Sequence, residues 1–322
     1  MPEATAATAY SAQVQDRLRG LVAGLPRPAR DLVTGFVDRP GKRLRSTLLG
    51  AAARCGPHDR ERVVRLGAVV ELLHLASLVH DDVIDRAPTR RGAPAAHLVA
   101  GPELAVLAGL SCLALAGTEA ADLGTGPNRL ISAAVAHLAQ GELLDVERAF
   151  DTTYTLADYD ELVERKTGAL FRLCCVLGAA EARLGPPRAE ALAAFGRQLG
   201  VAFQILDDCL DLAGPATDSG KPAGTDHLLG LFGAPTLCAL RDAPSGELAA
   251  LLLDPALTAA DLPRVRTLVI AYGGMSAAHD LARAAYDESL AALAPLGGLG
   301  DGGAGRQALL SVATSLWREA PC

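Results

Sequence analysis

Aromatic residues are scarce in this chain, only 4% of its 322 positions, and it has no excess of positive charge. Lys and Arg number 30 against 37 Asp and Glu, a formal net charge of −7. Without a basic surplus to neutralise phosphates, and with few rings to stack on bases, the composition argues against nucleic-acid binding. The seven cysteines (55, 112, 174, 175, 209, 238 and 322) contain no CxxC pair, and their odd number suits no closed disulfide framework. Most lie in apolar runs, where free cysteine acts as a small hydrophobe, so a reducing cytoplasm is the expected compartment. No basic segment followed by an apolar stretch opens the chain (MPEATAATAY), and no signal peptide is expected. The longest uncharged apolar run, between Glu103 and Glu119, is too short to span a bilayer, so no integral membrane segment is expected.

Period-2 alternation of β-branched residues is nearly absent as well, leaving strands little support. What remains is helix. The proline-free windows 58–87, 103–126, 128–185, 188–214 and 264–294 are rich in Ala, Leu, Glu and Arg. The third is too long for one globular helix, and it is expected to break near Asp151–Thr155, where Thr155 and Asp158 have the spacing of a capping box. Glycine and proline mark the connections, and no stretch reads as an interdomain linker. The expectation is a single all-α domain over 1–322, with roughly ten or more helices. Residues 63–80 are apolar almost all round, as in a helix at the centre of a bundle.

That helix ends in Asp81, Asp82 and Asp85, and carboxylates there oppose the helix dipole. The same string returns as Asp207, Asp208 and Asp211, again closing an apolar helix. An acidic surface patch is the bland reading of one such string. Its repetition suggests two carboxylate rows held together by a counter-charge. Mg²⁺ uses one or two carboxylates plus substrate phosphate oxygens, which suits this pattern; no alternating Ca²⁺ loop and no His/Cys zinc set is present. His74 lies on the face of Asp81, about 10 Å below it, and Gln204 lies on the face of Asp207 and Asp211. Cations flank these helices: Lys42 and Arg45 in GKRLR, Arg90 and Arg91 after the first cluster, Lys166 beside Thr167, and Lys221 after the second cluster. Two acidic rows and these basic groups describe a site for two diphosphates.

The strings GKRLR (41–45), ELLHLASLVHDDVIDRAPTRRG (71–92), QGELLDVE (140–147), KTGALF (166–171) and GVAFQILDDCLD…GKPAGTD (200–226) resemble the trans-polyprenyl diphosphate synthase family, in the family's order and over essentially the whole chain. The resemblance implies an isoprenoid-synthase-type bundle of long helices around a central cavity, usually homodimeric. It implies a prenyltransferase joining an allylic diphosphate to isopentenyl diphosphate. Carried over by motif position, Asp81, Asp85 and Asp207, helped by Asp82, Asp208 and Asp211, bind Mg²⁺, three ions bridged by the allylic diphosphate. Lys42, Arg45, His74 and Arg91 hold isopentenyl diphosphate. Arg90, Lys166, Thr167, Gln204 and Lys221 contact the allylic diphosphate. Ala76 and Ser77, small and one turn below Asp81, let the growing chain pass between helices, so the similarity favours C25 to C40 products over C15.

Four positions depart from the family pattern. Ser46 stands for the usual proline after GKRLR, Leu110 for an aspartate, and Leu231 and Gly233 for a lysine and a threonine often found there. Two other functions therefore stay open at this level. One is a terpene cyclase or irregular prenyl-coupling enzyme on the same scaffold, which would need no isopentenyl site. The other is a non-catalytic regulatory subunit of a heteromeric synthase, which would typically have lost acidic residues.

Overall fold

A computed structural model describes residues 2–213, 224–241, 246–297 and 303–319. Among them the chain forms fifteen α-helices and one two-residue hairpin. In order these are α1 (Pro2–Ala23), α2 (Arg27–Val37), α3 (Leu44–Ala53), α4 (Arg60–Ile84), strands β1 (Thr89–Arg90) and β2 (Ala93–Pro94), α5 (Ala96–Ala100), α6 (Pro102–Leu123) and α7 (Thr125–Glu147). Then follow α8 (Leu156–Val163), a π-helical turn (Glu164–Gly168), α9 (Ala169–Glu181), α10 (Pro186–Ala213), a 3₁₀ turn (Thr225–Leu229), α11 (Ala234–Leu240), α12 (Glu247–Leu252), α13 (Leu262–Ala271), α14 (Gly274–Ala292) and α15 (Gly303–Glu319). The expected all-α class holds, and the capping box at Thr155 is present with both of its hydrogen bonds.

The backbone groups into two compact units, Met1–Ala136 with Leu170–Gly196 and Ala292–Val312, and His137–Ala169 with Arg197–Ala291 and Ala313–Cys322. Their boundaries fall inside helices rather than in linkers.

In the first unit α4 is the core helix. Asp59 caps its start, accepting from the N–H groups of Glu61 and Arg62, and Val69, Val70, Leu72, Leu73, Ala76 and Val79 are all buried. α6 packs along α4 closely because Gly109 leaves room for the His80 ring, which bonds the Val106 carbonyl at 3.1 Å. α1 is tied down by Tyr10, whose ring occupies the space left by Gly50 and Gly67 and whose hydroxyl donates to Ser46 O. By length and composition α4 and α6 could each cross a membrane, which the short uncharged run did not suggest for α6. α4 spends that apolarity inside the protein. α6 instead exposes Val106, Leu107 and Leu110, next to Leu98 and Val99 of α5.

The second unit is built from the end of α7, from α8 and the π turn, and from the later helices. Gly141 allows α7 to run against the backbone of Lys166. Gly230 lies against the Phe150 ring, with Phe150 N–H on Gly230 O at 2.9 Å. The buried His227 closes the 3₁₀ turn, with Nδ1 on Gly224 O at 3.1 Å and Nε2 on the Thr236 hydroxyl at 2.7 Å. The six described cysteines are buried, and none of them is in a disulfide.

Candidate active site

Both acidic clusters end long helices, as their sequence strings indicate. In the first unit, Asp81 and Asp82 lie in the last turn of α4, and Asp85 is its C-cap. Asp82 is fully buried. Its Oδ1 takes Nε and Nη2 of Arg90 at 2.8 and 2.6 Å, while its Oδ2 has no hydrogen-bond partner. Arg90 stands on β1, and the hairpin turns at Arg91 and Gly92 with φ of 51° and 71°, the two left-handed residues of a type I′ turn. The Arg91 side chain reaches back across Gly41, where an added Cβ would lie 3.3 Å from the guanidinium, and donates to Arg39 O at 3.1 Å. Lys42 precedes Arg43, the left-handed residue that opens α3.

Arg45 on α3 lies over the Phe171 ring at 5.3 Å and donates Nη1–H to Nε2 of His74 at 3.1 Å. Burial, then the nearby charges of Arg45, Arg91 and Arg90, hold His74 well below the usual histidine range. A neutral ring that accepts on Nε2 carries its proton on Nδ1, and that buried N–H has no partner within the protein. It is a buried donor in a neighbourhood made positive by Arg45, Arg90 and Arg91. Ala76 is buried one turn below Asp81, and the Ser77 hydroxyl is turned onto His74 O.

In the second unit, Asp207, Asp208 and Asp211 lie near the end of α10, and Asp208 is held by donors of the protein itself. Its Oδ2 accepts from the Tyr159 hydroxyl at 2.5 Å and from Ala234 N–H at 3.0 Å; its Oδ1 accepts from Gln204 Nε2 at 2.9 Å. Burial pushes the Asp208 carboxyl up to about 6, with these donors pulling the other way. Gln204 Oε1 in turn accepts from the Thr167 hydroxyl at 2.7 Å. Thr167 belongs to the π-helical turn, the extra-residue bulge that helices often carry at functional sites. Lys166, beside it, pairs with Glu142 at 2.9 Å and with Asp145, both on α7. Lys221 lies outside the described residues.

Two departures acquire local reasons. Ser46 has the N–H that proline lacks, and donates it to the buried Glu71 carboxylate at 3.0 Å. Gly233 is required by Asp208, since a Cβ there would come within 2.6 Å of Oδ2. Leu110 is exposed on α6, and nothing in its surroundings explains the change; Leu231 leaves its turn without the usual cation. Tyr159 lies outside every motif string, while Glu71, Glu142, Asp145 and Phe171 lie within them but carry no role that sequence alone assigns.

The polyprenyl synthetase family model matches residues 27–263. The chain belongs to the polyprenyl synthetase family. Among its relatives is a nonaprenyl diphosphate synthase of Mycobacterium tuberculosis, 35% identical over 78% of this chain and 76% of the relative. The heptaprenyl diphosphate synthase component 2 of Geobacillus stearothermophilus is 34% identical over 72% of each chain. A crystal structure of a polyprenyl synthase from Caulobacter crescentus, complexed with calcium and isoprenyl diphosphate, superposes with a TM-score of 0.85 at 34% identity. It covers 98% of this chain and 96% of its own. The architecture is therefore the all-α isoprenoid synthase fold, and membership makes the chain a prenyltransferase.

Proposed function

We propose that this enzyme condenses an allylic prenyl diphosphate with isopentenyl diphosphate, head to tail and with Mg²⁺, releasing pyrophosphate and a longer all-trans prenyl diphosphate. The observation that carries the reading is the pair of acidic helix ends, each accompanied by cations in its own unit. The donor set suits a hard cation: it is all carboxylate oxygen, and Asp82 Oδ2 is buried without a partner. Asp81, Asp85 and Asp207 would hold Mg²⁺, three ions shared with the allylic diphosphate, supported by Asp82, Asp208 and Asp211. Bound there, the metal neutralises charge on the departing pyrophosphate.

The protein's own residues have separate tasks. Lys42, Arg45 and Arg91 bind the diphosphate of isopentenyl diphosphate, and neutral His74 donates Nδ1–H to it. Arg90, Lys166, Thr167, Gln204 and Lys221 would contact the allylic diphosphate, the cations among them stabilising the charge that grows as it leaves. The double bond of isopentenyl diphosphate, held alongside, attacks the allylic carbon. A proton then leaves, and the departing pyrophosphate is the base at hand. Small Ala76 and Ser77 support chains longer than C20, with C25 to C40 favoured. We read the two units as one working domain, because the family match runs through both.

The assembly we propose is a homodimer seated on the apolar stripe of Leu98, Val99, Val106, Leu107 and Leu110. Buried cysteines outside any disulfide support a cytoplasmic home. The Geobacillus relative is named as one component of its synthase, so light scattering of the purified chain accompanies the decisive assay. That assay incubates the protein with Mg²⁺, isopentenyl diphosphate and C10, C15 or C20 allylic diphosphates, then identifies the dephosphorylated products by mass. Linear prenols longer than the primer are expected. A cyclic hydrocarbon formed without isopentenyl diphosphate, or no product from the chain alone, would overturn the reading.

A further inference from the structure

We propose that Asp208 is a positioning residue, clamped by Tyr159 and by Ala234 N–H, and that its carboxylate sets the donor–acceptor direction of the Gln204–Thr167 pair. The inference rests on the condensation reading above for the meaning of kcat, but not for its structural test.

Every group in the chain has one consistent role. Oδ2 of Asp208 is held by two donors, at 2.5 Å from the Tyr159 hydroxyl and 3.0 Å from Ala234 N. Gly233 has no Cβ to block that approach. Oδ1 is an acceptor too, so the Gln204 amide must present Nε2 to it, as it does at 2.9 Å. With Nε2 committed, Oε1 faces Thr167, and the Thr167 hydroxyl spends its proton there at 2.7 Å. On its other side Thr167 therefore offers lone pairs and no proton. Direction thus passes from Asp208 through Gln204 to a hydroxyl in the π turn next to Lys166. Tyr159 is buried and belongs to α8, so the clamp also ties α8 to the end of α10.

A pair of substitutions can reverse this direction and then restore it. In Asp208→Asn, Tyr159 and Ala234 N–H still require an oxygen, so the new amide nitrogen turns to Gln204. The Gln204 amide then flips, and Thr167 becomes the acceptor with its proton pointing outward. Adding Gln204→Glu supplies a carboxylate that accepts from both sides, and Thr167 is again the donor. Gln204→Glu alone sets two carboxylates face to face.

The test compares wild type, Tyr159→Phe, Asp208→Asn, Gln204→Glu and the double variant Asp208→Asn/Gln204→Glu. Three readouts are taken: the melting temperature in EDTA, kcat and KM for the allylic diphosphate, and the Mg²⁺ concentration giving half-maximal rate. Losing or reversing a hydrogen bond to a charged group should lower kcat about 10- to 100-fold in Asp208→Asn, with Mg²⁺ half-saturation within about twofold of wild type. The double variant should recover kcat to within about threefold of wild type and regain the metal-free melting temperature. Gln204→Glu should melt lowest, and Tyr159→Phe, the mildest change, should lower kcat with little change in KM. If the double variant is no better than Asp208→Asn in either kcat or metal-free melting, the proposal is wrong. If Asp208→Asn raises Mg²⁺ half-saturation more than about tenfold and the double variant does not reverse it, Asp208 is a metal ligand instead. A wild type that forms no prenyl product would refute the function, while the melting series in EDTA would still judge the clamp.

Discussion

Replacing Gly141 by alanine tests how the close passage of α7 against the π turn serves the site. A Cβ at 141 would lie 2.6 Å from Lys166 N, 2.8 Å from its Cα and 3.0 Å from the Arg165 carbonyl carbon. Ordinary contact between such atoms begins at about 3.5 Å, so the backbones must part by several tenths of an ångström. All three neighbours are backbone, and none can swing aside. Overpacking of this kind costs about 1–3 kcal/mol. Alanine in a helix interior returns about 0.5–1 kcal/mol of that through propensity. With unfolding entropy of about 2.1 cal/mol/K per residue, the melting temperature should fall by about 0–4 °C. The same substitution at Gly20, exposed on α1 with no atom within 4 Å of the added Cβ, should instead raise it by about 1 °C from propensity alone. Function should follow the packing. Glu142, next to Gly141, and Asp145, one turn on, hold the Lys166 ammonium, so moving α7 moves that cation, and kcat/KM should drop about tenfold. Differential scanning calorimetry and steady-state kinetics on both variants make the comparison. A Gly141→Ala protein as stable and as active as Gly20→Ala would refute the reasoning.

Asp81→Ala and Asp207→Ala should each cut turnover by about two to three orders of magnitude while leaving the circular dichroism spectrum intact; wild-type activity in either removes the metal-site reading. Arg90→Ala strands a fully buried carboxylate at Asp82, and urea denaturation should report a loss of about 3–5 kcal/mol, whereas Arg90→Lys keeps the charge but loses the fork. Burial holds the His227 pKa below its ordinary value, so below pH of about 6.5 the unfolded chain binds a proton that the folded one refuses. Stability contributed at this residue is therefore present at neutral pH and lost on acidification, and His227→Gln should flatten the melting-temperature slope between pH 7 and 5. Ala76→Phe places a ring one turn below Asp81 at a buried position and should shorten the products, read by mass spectrometry; unchanged lengths would move the floor of the chain elsewhere.

Much of the fold was legible because helices announce themselves locally. Proline-free windows, a capping box at Thr155 and Asp158, and an all-round apolar segment at 63–80 each follow from short-range chemistry, and the structure bears out all three. What local pattern could not supply was close approach. Gly109 gives no sign in the sequence that it makes room for His80, nor do Gly50 and Gly67 that they share one tyrosine 40 or more residues upstream. The left-handed conformations of Arg43 and Arg91 were equally hidden, since neither is a residue type that advertises positive φ.

At the site the asymmetry is sharper, and its cause is electrostatic. Residues aimed at a ligand stand out because they violate the rules for a core: carboxylates at helix C-termini, a histidine on an apolar face, cations beside buried helices. Their protein partners violate nothing. Glu142 and Asp145 look like a solvated helix face, yet they hold Lys166; Glu71 looks like an ordinary helical glutamate, yet it is buried and takes the N–H of Ser46. Tyr159 looks like a core aromatic, and only the fold shows its hydroxyl 2.5 Å from an aspartate 49 positions away. Grouping Asp208 with Asp207 and Asp211 was natural from a repeated string. At 100° per residue Asp208 lies on the flank of their face, one turn from Gln204, and only the fold shows that its two carboxylate oxygens are taken by Tyr159, Ala234 and Gln204. A motif names which carboxylates are present; the partners brought by distant elements decide which of their oxygens are already spoken for.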